Sequence, residues 1–303
     1  MANAQSGAGR KRRHHFLPVF QLKYFSDPSQ GGVWTHDRLG RITPNPKCLP
    51  ATEIGAQTEL YTITKESGER SDLYETWLAD KIDGPASKVF PKLLAGTRLS
   101  RQEQSDISAY VMSRDLRTPK ARELAIAVEN AAARAAWSVL KSDIPATRLS
   151  ILKSSGLDFS EQELAEFFAD FEPEAGNASF TDFISRHIND GAARLYRTTW
   201  FLLDALVGEE FITTDHGVLK FRGGFDNPVP HSLAWVGQAD HWIFPLTPNT
   251  ALVMEPNGQP GRGVARPEFL STINHNLAKQ ADEFVFARKP MPWIIREWSR
   301  RDS

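Results

Sequence analysis

The chain has 303 residues, 41% of them hydrophobic and 24% charged, with a formal net charge of −1. It is long enough to bury a large core and too nearly neutral to be drawn as a whole onto a polyanion, so any nucleic-acid contact has to come from a local basic cluster. A single cysteine, Cys48, excludes intrachain disulfides and thiolate metal clusters, and the longest apolar stretches, such as TTWFLLDALVG, fall far short of the roughly 20 residues that span a bilayer, so a cytoplasmic protein without membrane contact is expected.

Residues 1–13 offer no apolar run and read as a disordered basic arm carrying Arg10, Lys11, Arg12 and Arg13. Residues 14–303 read as one α+β domain. His14 and His15 precede Pro18, which suits the first turn of a helix through PVFQLKYF, so the histidines are expected beside a helix N-terminus that favours an anion. In an extended segment their side chains must point to opposite faces. Short β-prone runs around Gly40 in GGVWTHDRLGRITP predict a β-hairpin, followed by a proline-rich loop from Pro44 to Pro50.

From Asp72 to Ala95 apolar residues recur at helical spacing, and Gly84, Pro85 and Pro91 predict two helices or one kinked helix. Ser100 with Glu103, and Ser160 with Glu163, have the spacing of capping boxes, and an alanine-rich stretch from Pro119 to about Leu140 supplies another helix between them. A long amphipathic helix is predicted through FTDFISRHINDGAARLYRTTWFLLDAL, with Leu202 and Leu206 on its inner face. After Gly208 the character changes: FITTD reads as a strand ending at Asp215, HWIFPLTPNTALVM as two short strands, Pro267 to Gln280 as a helix and EFVFAR as a last strand. The fold class is thus α+β, a helical middle inserted between an N-terminal β-hairpin and C-terminal short strands.

No phosphate loop of the Walker type, no Gly-x-Ser-x-Gly elbow and no His-Glu-x-x-His helix is present, which argues against P-loop hydrolysis, α/β-hydrolase chemistry and a zincin site. The segments HHFLPVFQLKYFSD, ELYTI, YETWLADKIDGPASKVFPKLL, YVMSRDLRTPKARE, FITTDHGV, FPLTP and NHNLAKQADEFVFAR, in this order, resemble the bacterial family called domain of unknown function 4238, from about His14 to Arg288. Its most specific element is the opening His-His-x-x-Pro. The resemblance implies recurrent polar residues at His14, His15, Glu75, Arg117, Asp215 and Asn274, and no activity comes with it. Where an asparagine and a proline are expected after the aspartate, this chain has His216 and Gly217.

Each of these residues also has a structural explanation. His14 or His15 can be satisfied by a backbone carbonyl while fixing the chain entry; Glu75 lies three residues after Asp72, as in a capping box; Arg117 ends a helix; Asn274 is spaced to be a buried amide; Asp215 begins an Asx-type turn. His231 and His241 fall at no metal-ligand spacing. Taken as chemistry, the set describes a metal-dependent phosphodiester hydrolase, nuclease-like. Glu75 and Asp215 would hold Mg²⁺ or Mn²⁺, His14 or His15 would act as acid/base, Arg117 would meet the phosphate and Asn274 would orient a ligand, while RNA or DNA would engage the basic termini, Arg10–Arg13 and Arg296, Arg300 and Arg301. The alternative is a non-catalytic binding or regulatory module in which the same residues form a buried polar network.

Overall fold

The structure, a computed structural model, describes residues 13–64, 67–142, 150, 154, 175–229 and 239–299. The basic residues Arg10 to Arg12, Arg300 and Arg301, the Ser160–Glu163 pair and His231 lie outside the described residues. No helix among those described is long and apolar enough to cross a membrane.

The chain begins with β1 (Arg13–His15), the short α1 (Val19–Tyr24), β2 (Val33–Asp37), β3 (Lys47–Leu49) and β4 (Ala56–Thr58), then the small pair β5 (Ile63–Thr64) and β6 (Arg70–Ser71). The helical middle follows. It comprises α2 (Leu73–Leu78), a wide π-type turn at Ala79–Asp83, α3 (Gly84–Leu94), α4 (Arg101–Leu116), α5 (Pro119–Ser142) and α6 (Asn177–Tyr196). Ser100 and Glu103 form the predicted reciprocal cap on α4. The rest of the chain supplies β7 (Thr199–Asp204), β8 (Thr213–Thr214), β9 (Leu219–Phe221), β10 (Pro228–Val229), β11 (His241–Thr247), β12 (Thr250–Glu255), β13 (Gly261–Val264), α7 (Pro267–Gln280), β14 (Phe284–Ala287) and α8 (Pro292–Ser299). The fold is α+β.

A six-stranded sheet, in the order β10-β9-β11-β12-β7-β13, is covered on both faces. Strand alternation sorts its side chains: Leu202, Trp242, Phe244, Leu252 and Met254 join one core with α3, α4 and α6, while Leu203, Ile243, Ala251 and Val253 join a second core with α7 and α8. A strand buried on both faces reads as a continuous apolar run, and this explains one departure from the sequence reading. The helix expected to reach Leu206 stops at Tyr196, and TWFLLD is the strand β7.

The N-terminal hairpin differs too. Its return strand is β3, not the residues after Gly40. The Asp37 carboxylate accepts the backbone N–H groups of Leu39, Arg41 and Ile42, so those donors are spent on a side chain and cannot join a ladder. The hairpin belongs to a four-stranded sheet, β3-β2-β14-β8, in which β2 near the start of the chain pairs antiparallel with β14 near its end. His36 strengthens this union by accepting the Met291 N–H at 3.0 Å.

Arg114 ties the halves together from the middle. Its fully buried guanidinium donates to the Phe16 carbonyl (2.6 Å), the Gln21 amide oxygen (3.2 Å) and the carbonyls of Thr214 and Asp215 (both 3.4 Å). Only a planar fork reaches so many acceptors at once. Arg114→Lys is expected to destabilise the protein by about 2–4 kcal/mol, because several buried carbonyls lose their donors. Urea unfolding of the variant measures it, and an unchanged midpoint would contradict this role.

Candidate functional site

Strand β1 pairs with β4 in the register Arg13 with Thr58, His14 with Gln57 and His15 with Ala56. The two histidines therefore diverge, as alternation requires. They lie in a strand rather than at a helix start, and α1, only six residues long, offers no anion seat of the kind expected. His14 is buried, stacked on Tyr61, and its Nδ1 accepts the Tyr61 backbone N–H at 2.9 Å. That bond places the neutral ring's proton on Nε2, 3.4 Å from Asp72 Oδ1. His14 fixes the loop that carries Tyr61.

His15 is half-buried and meets different partners. Its backbone N–H donates to Glu75 Oε1 at 3.2 Å. Glu75 makes no capping box, since Asp72 gives its carboxylate to the Thr62 hydroxyl at 2.7 Å and to His14, and the first turn of α2 has no side-chain cap. Released from that duty, Glu75 turns toward β1. Arg117, fully buried just after α4, holds Asp83 through both terminal nitrogens at 3.1 and 2.9 Å, and its carbonyl accepts the Tyr61 hydroxyl at 2.8 Å.

His15, Glu75, Arg117 and Asp83 thus form one electrostatic group. Burial lowers the His15 pKa below its ordinary 6.5, with the charges of Arg13 and Arg117 acting the same way and the Thr52 backbone opposing them. Burial raises Glu75 above its ordinary 4.5, against the pull of the His15 N–H and Arg117. The imidazole is drawn toward its neutral form and the carboxyl toward its protonated form. His15 Nε2, Glu75 Oε2 and Arg117 Nε are covered by protein yet have no hydrogen-bond partner among the described residues. A covered, unpaired polar atom costs about 1–3 kcal/mol, so three of them in one group call for a water or a ligand atom.

Asp83 escaped the sequence reading. A π-type turn inside a helical segment is a recognised mark of functional sites, and the glycine and proline at 84 and 85 hinted only at a bend.

Asp215 and Asn274 are not part of this group. The Asp215 carboxylate accepts four backbone N–H groups, from His216 (3.0 Å), Asp282 (3.1 Å), Glu283 (2.6 Å) and Phe284 (2.9 Å). Burial raises its pKa while those four bonds act against the rise. Its oxygens are occupied in fastening the α7–β14 connection, which leaves none for the cation expected between Glu75 and Asp215. Among the described residues no three His, Cys, Asp or Glu side chains make a metal-holding group. Asn274 accepts the Ile212 N–H at 3.1 Å and donates to the Glu210 carbonyl at 2.8 Å, holding the segment before β8. His216 faces Asp115 at 3.2 Å, whose other oxygen accepts the buried Lys220 ammonium at 2.9 Å. His241 lies against Asp240.

A cleft of about 650 Å³ opens beside Asp215, lined among others by Phe16, Pro119, Lys120, Lys279 and Asp282. Burial, with Asp215 adding to it, raises Asp282 to about 7. Of the six polar residues implied by the resemblance, Asp215 alone lines this cleft.

Two substitutions separate structural from chemical duty. Asp215→Asn is expected to cost about 1–3 kcal/mol, because an amide group presents a donor where backbone donors already converge. Its thermal midpoint, like that of the wild type, should not respond to Mg²⁺ or Mn²⁺; a metal-dependent rise in the wild type alone would restore Asp215 as a ligand. Asp83→Leu strands the Arg117 charge in the core and should cost about 3–5 kcal/mol, whereas the Asp83→Leu, Arg117→Met pair should recover most of that loss in denaturant titrations. Equal costs for the single and double variants would mean that the ion pair is not what holds this corner.

No curated protein and no solved structure matches the chain. The sequence from 13 to 290 matches the family described as "Protein of unknown function (DUF4238)", covering most of the chain. The match takes in β1, α7, β14 and every element that carries His15, Glu75 and Arg117, and the chain belongs to the DUF4238 family.

Proposed function

We propose that the protein is a hydrolase of phosphodiester bonds whose acid–base pair is His15 and Glu75. The observation that carries this reading is the pair of covered, unpartnered atoms, His15 Nε2 and Glu75 Oε2, on side chains whose pKa values are driven toward each other. Neutral His15 takes a proton from the attacking water as the new P–O bond forms. Protonated Glu75 gives its proton to the leaving oxygen as the old P–O bond breaks, and transfer of the proton from His15 to Glu75 restores the starting state. Arg117, locked to Asp83, keeps one N–H, at Nε, for a phosphate oxygen. Phosphodiesters are favoured as substrates, RNA and DNA among them, because the sequence sets Arg10, Lys11, Arg12 and Arg13 directly before His14.

A second reading has its own observation. His14, Asp215 and Asn274 are each engaged by backbone groups, which is what a non-catalytic module with a buried polar network requires. In that module His15 and Glu75 would have nothing to turn over.

Hydrolysis of bis(p-nitrophenyl) phosphate, RNA and DNA, each with EDTA, Mg²⁺ or Mn²⁺, distinguishes the two. The productive form needs His15 neutral, hence a pH above its lowered pKa, and Glu75 protonated, hence a pH below its raised one. The rate should therefore peak on the acidic side of neutral, and His15→Ala and Glu75→Gln should each lower kcat by about 10²–10⁴. Glu75→Gln should also remove the alkaline limb of the profile. Absence of turnover under every condition, or turnover that survives both substitutions, would sink the hydrolase reading.

A further inference from the structure

The cleft of about 650 Å³ beside Asp215 has none of His15, Glu75 and Arg117 in its wall. It is built where Phe16, the turn after β2, the start of α5, Pro228 in β10 and the connection from α7 to β14 come together. Hydrogen bonds hold these walls in place. Arg114 fixes the carbonyls of Phe16 and Asp215, and the Asp215 carboxylate takes the N–H groups of Asp282 and Glu283. Arg38 reaches the Ala281 carbonyl at 3.1 Å, while its own backbone N–H donates to the Glu283 carbonyl at 2.8 Å. The Gln280 amide donates to the Val229 carbonyl at 3.2 Å. A cleft fixed from so many sides is preorganised, and a ligand entering it has little protein to order.

Charge decides what fits. Four carboxyl groups line the cleft, those of Glu123, Asp215, Asp282 and Glu283, and each is already answered. Asp215 spends its oxygens on backbone N–H groups, Glu283 pairs with Arg41 at 2.7 Å and Glu123 with Lys120 at 3.2 Å. Asp282 is answered by a proton: burial, with Asp215, Glu123 and Glu283 adding to it and Lys120 opposing, raises its pKa to about 7. Two of the cations have no such answer. Lys279, exposed in the last turn of α7, makes no ion pair among the described residues, and Arg38 bonds a carbonyl oxygen rather than a carboxylate. Phe16, Leu39, Pro119 and Pro228 add apolar wall.

We infer that this cleft binds a small organic anion, a carboxylate or phosphate group on an apolar body, with Lys279 and Arg38 holding the anionic group and the Asp282 carboxyl beside it. The volume is that of small-molecule sites, and a few polar groups set in apolar wall are their usual lining. An anion next to Asp282 favours its protonated form, so the complex keeps a proton that the free protein loses near neutrality. Affinity therefore falls as pH rises through about 7 and levels off below it. This site adds to the hydrolase reading and does not depend on it.

Isothermal titration of the full chain with phenyl phosphate, phenylacetate and inorganic phosphate tests the proposal. The two phenyl compounds show which acidic group is preferred, and the better of them should bind at least about tenfold more tightly than inorganic phosphate, which has no apolar body. Lys279→Gln should weaken that binding by about tenfold and leave the thermal midpoint in place, because the side chain is exposed. Wild-type affinity should rise at least about threefold from about pH 8.5 to about pH 6, whereas Asp282→Asn, which cannot ionise, should bind at the higher pH as the wild type does at the lower. A wild type that binds neither phenyl compound, binding that Lys279→Gln leaves unchanged, or a pH dependence that survives in Asp282→Asn overturns the proposal.

Discussion

A buried guanidinium held by carbonyl and amide oxygens organises this molecule. Arg114 takes its acceptors from the carbonyl of Phe16, the amide of Gln21 and the carbonyls of Thr214 and Asp215, so two stretches far apart in the chain meet on one planar group carried by α4. Burial lowers its pKa to about 10, still well above neutrality, and the positive charge is kept. Carbonyl and amide dipoles bond the guanidinium directly, and the more distant Asp83 charge also favours its charged form. A change in the position of any one segment leaves both the cation and the remaining carbonyls short of partners, and this makes the arrangement of the segments cooperative.

The candidate site inherits its geometry from that anchor. Phe16, held by Arg114, directly follows His15, and Arg117 lies three residues beyond Arg114 at the end of the same helix. One element therefore fixes both the strand that presents the imidazole and the cation behind it. Asp83 secures Arg117, Tyr61 binds the Arg117 carbonyl, and His14 in turn holds the Tyr61 backbone. The two histidines are neighbours in sequence with different partners, separated only by the alternation of a strand.

Much of the fold could be read from the sequence, and the exceptions have physical causes. Helical periodicity located α2 to α6 and α7, and the Ser100–Glu103 cap located the start of α4. Strand β7 was hidden because Leu202 and Leu203 enter different cores, which erases the alternation that marks a strand. The return strand of the hairpin was displaced by the Asp37 carboxylate, whose hold on the local backbone has no periodic signature. For the site, local spacing misled where long-range partners decide the outcome. Glu75 looked like a cap until Asp72 was engaged by Thr62, and Asp215 looked like a ligand although it binds backbone amides 67 to 69 residues away. Asp83 meets Arg117 across 34 residues, a pairing no local pattern encodes.

The proposed acid–base pair requires His15 and Glu75 to titrate toward each other. The most direct measurement is a ¹⁵N NMR titration of the His15 ring in the wild type and in Glu75→Gln. An acid–base pair should give a His15 pKa below 6.5, an inflection from Glu75 above 4.5 on the same resonance, and loss of that inflection in the variant. A His15 that titrates at 6.5 or higher, with one inflection that Glu75→Gln leaves in place, would contradict it.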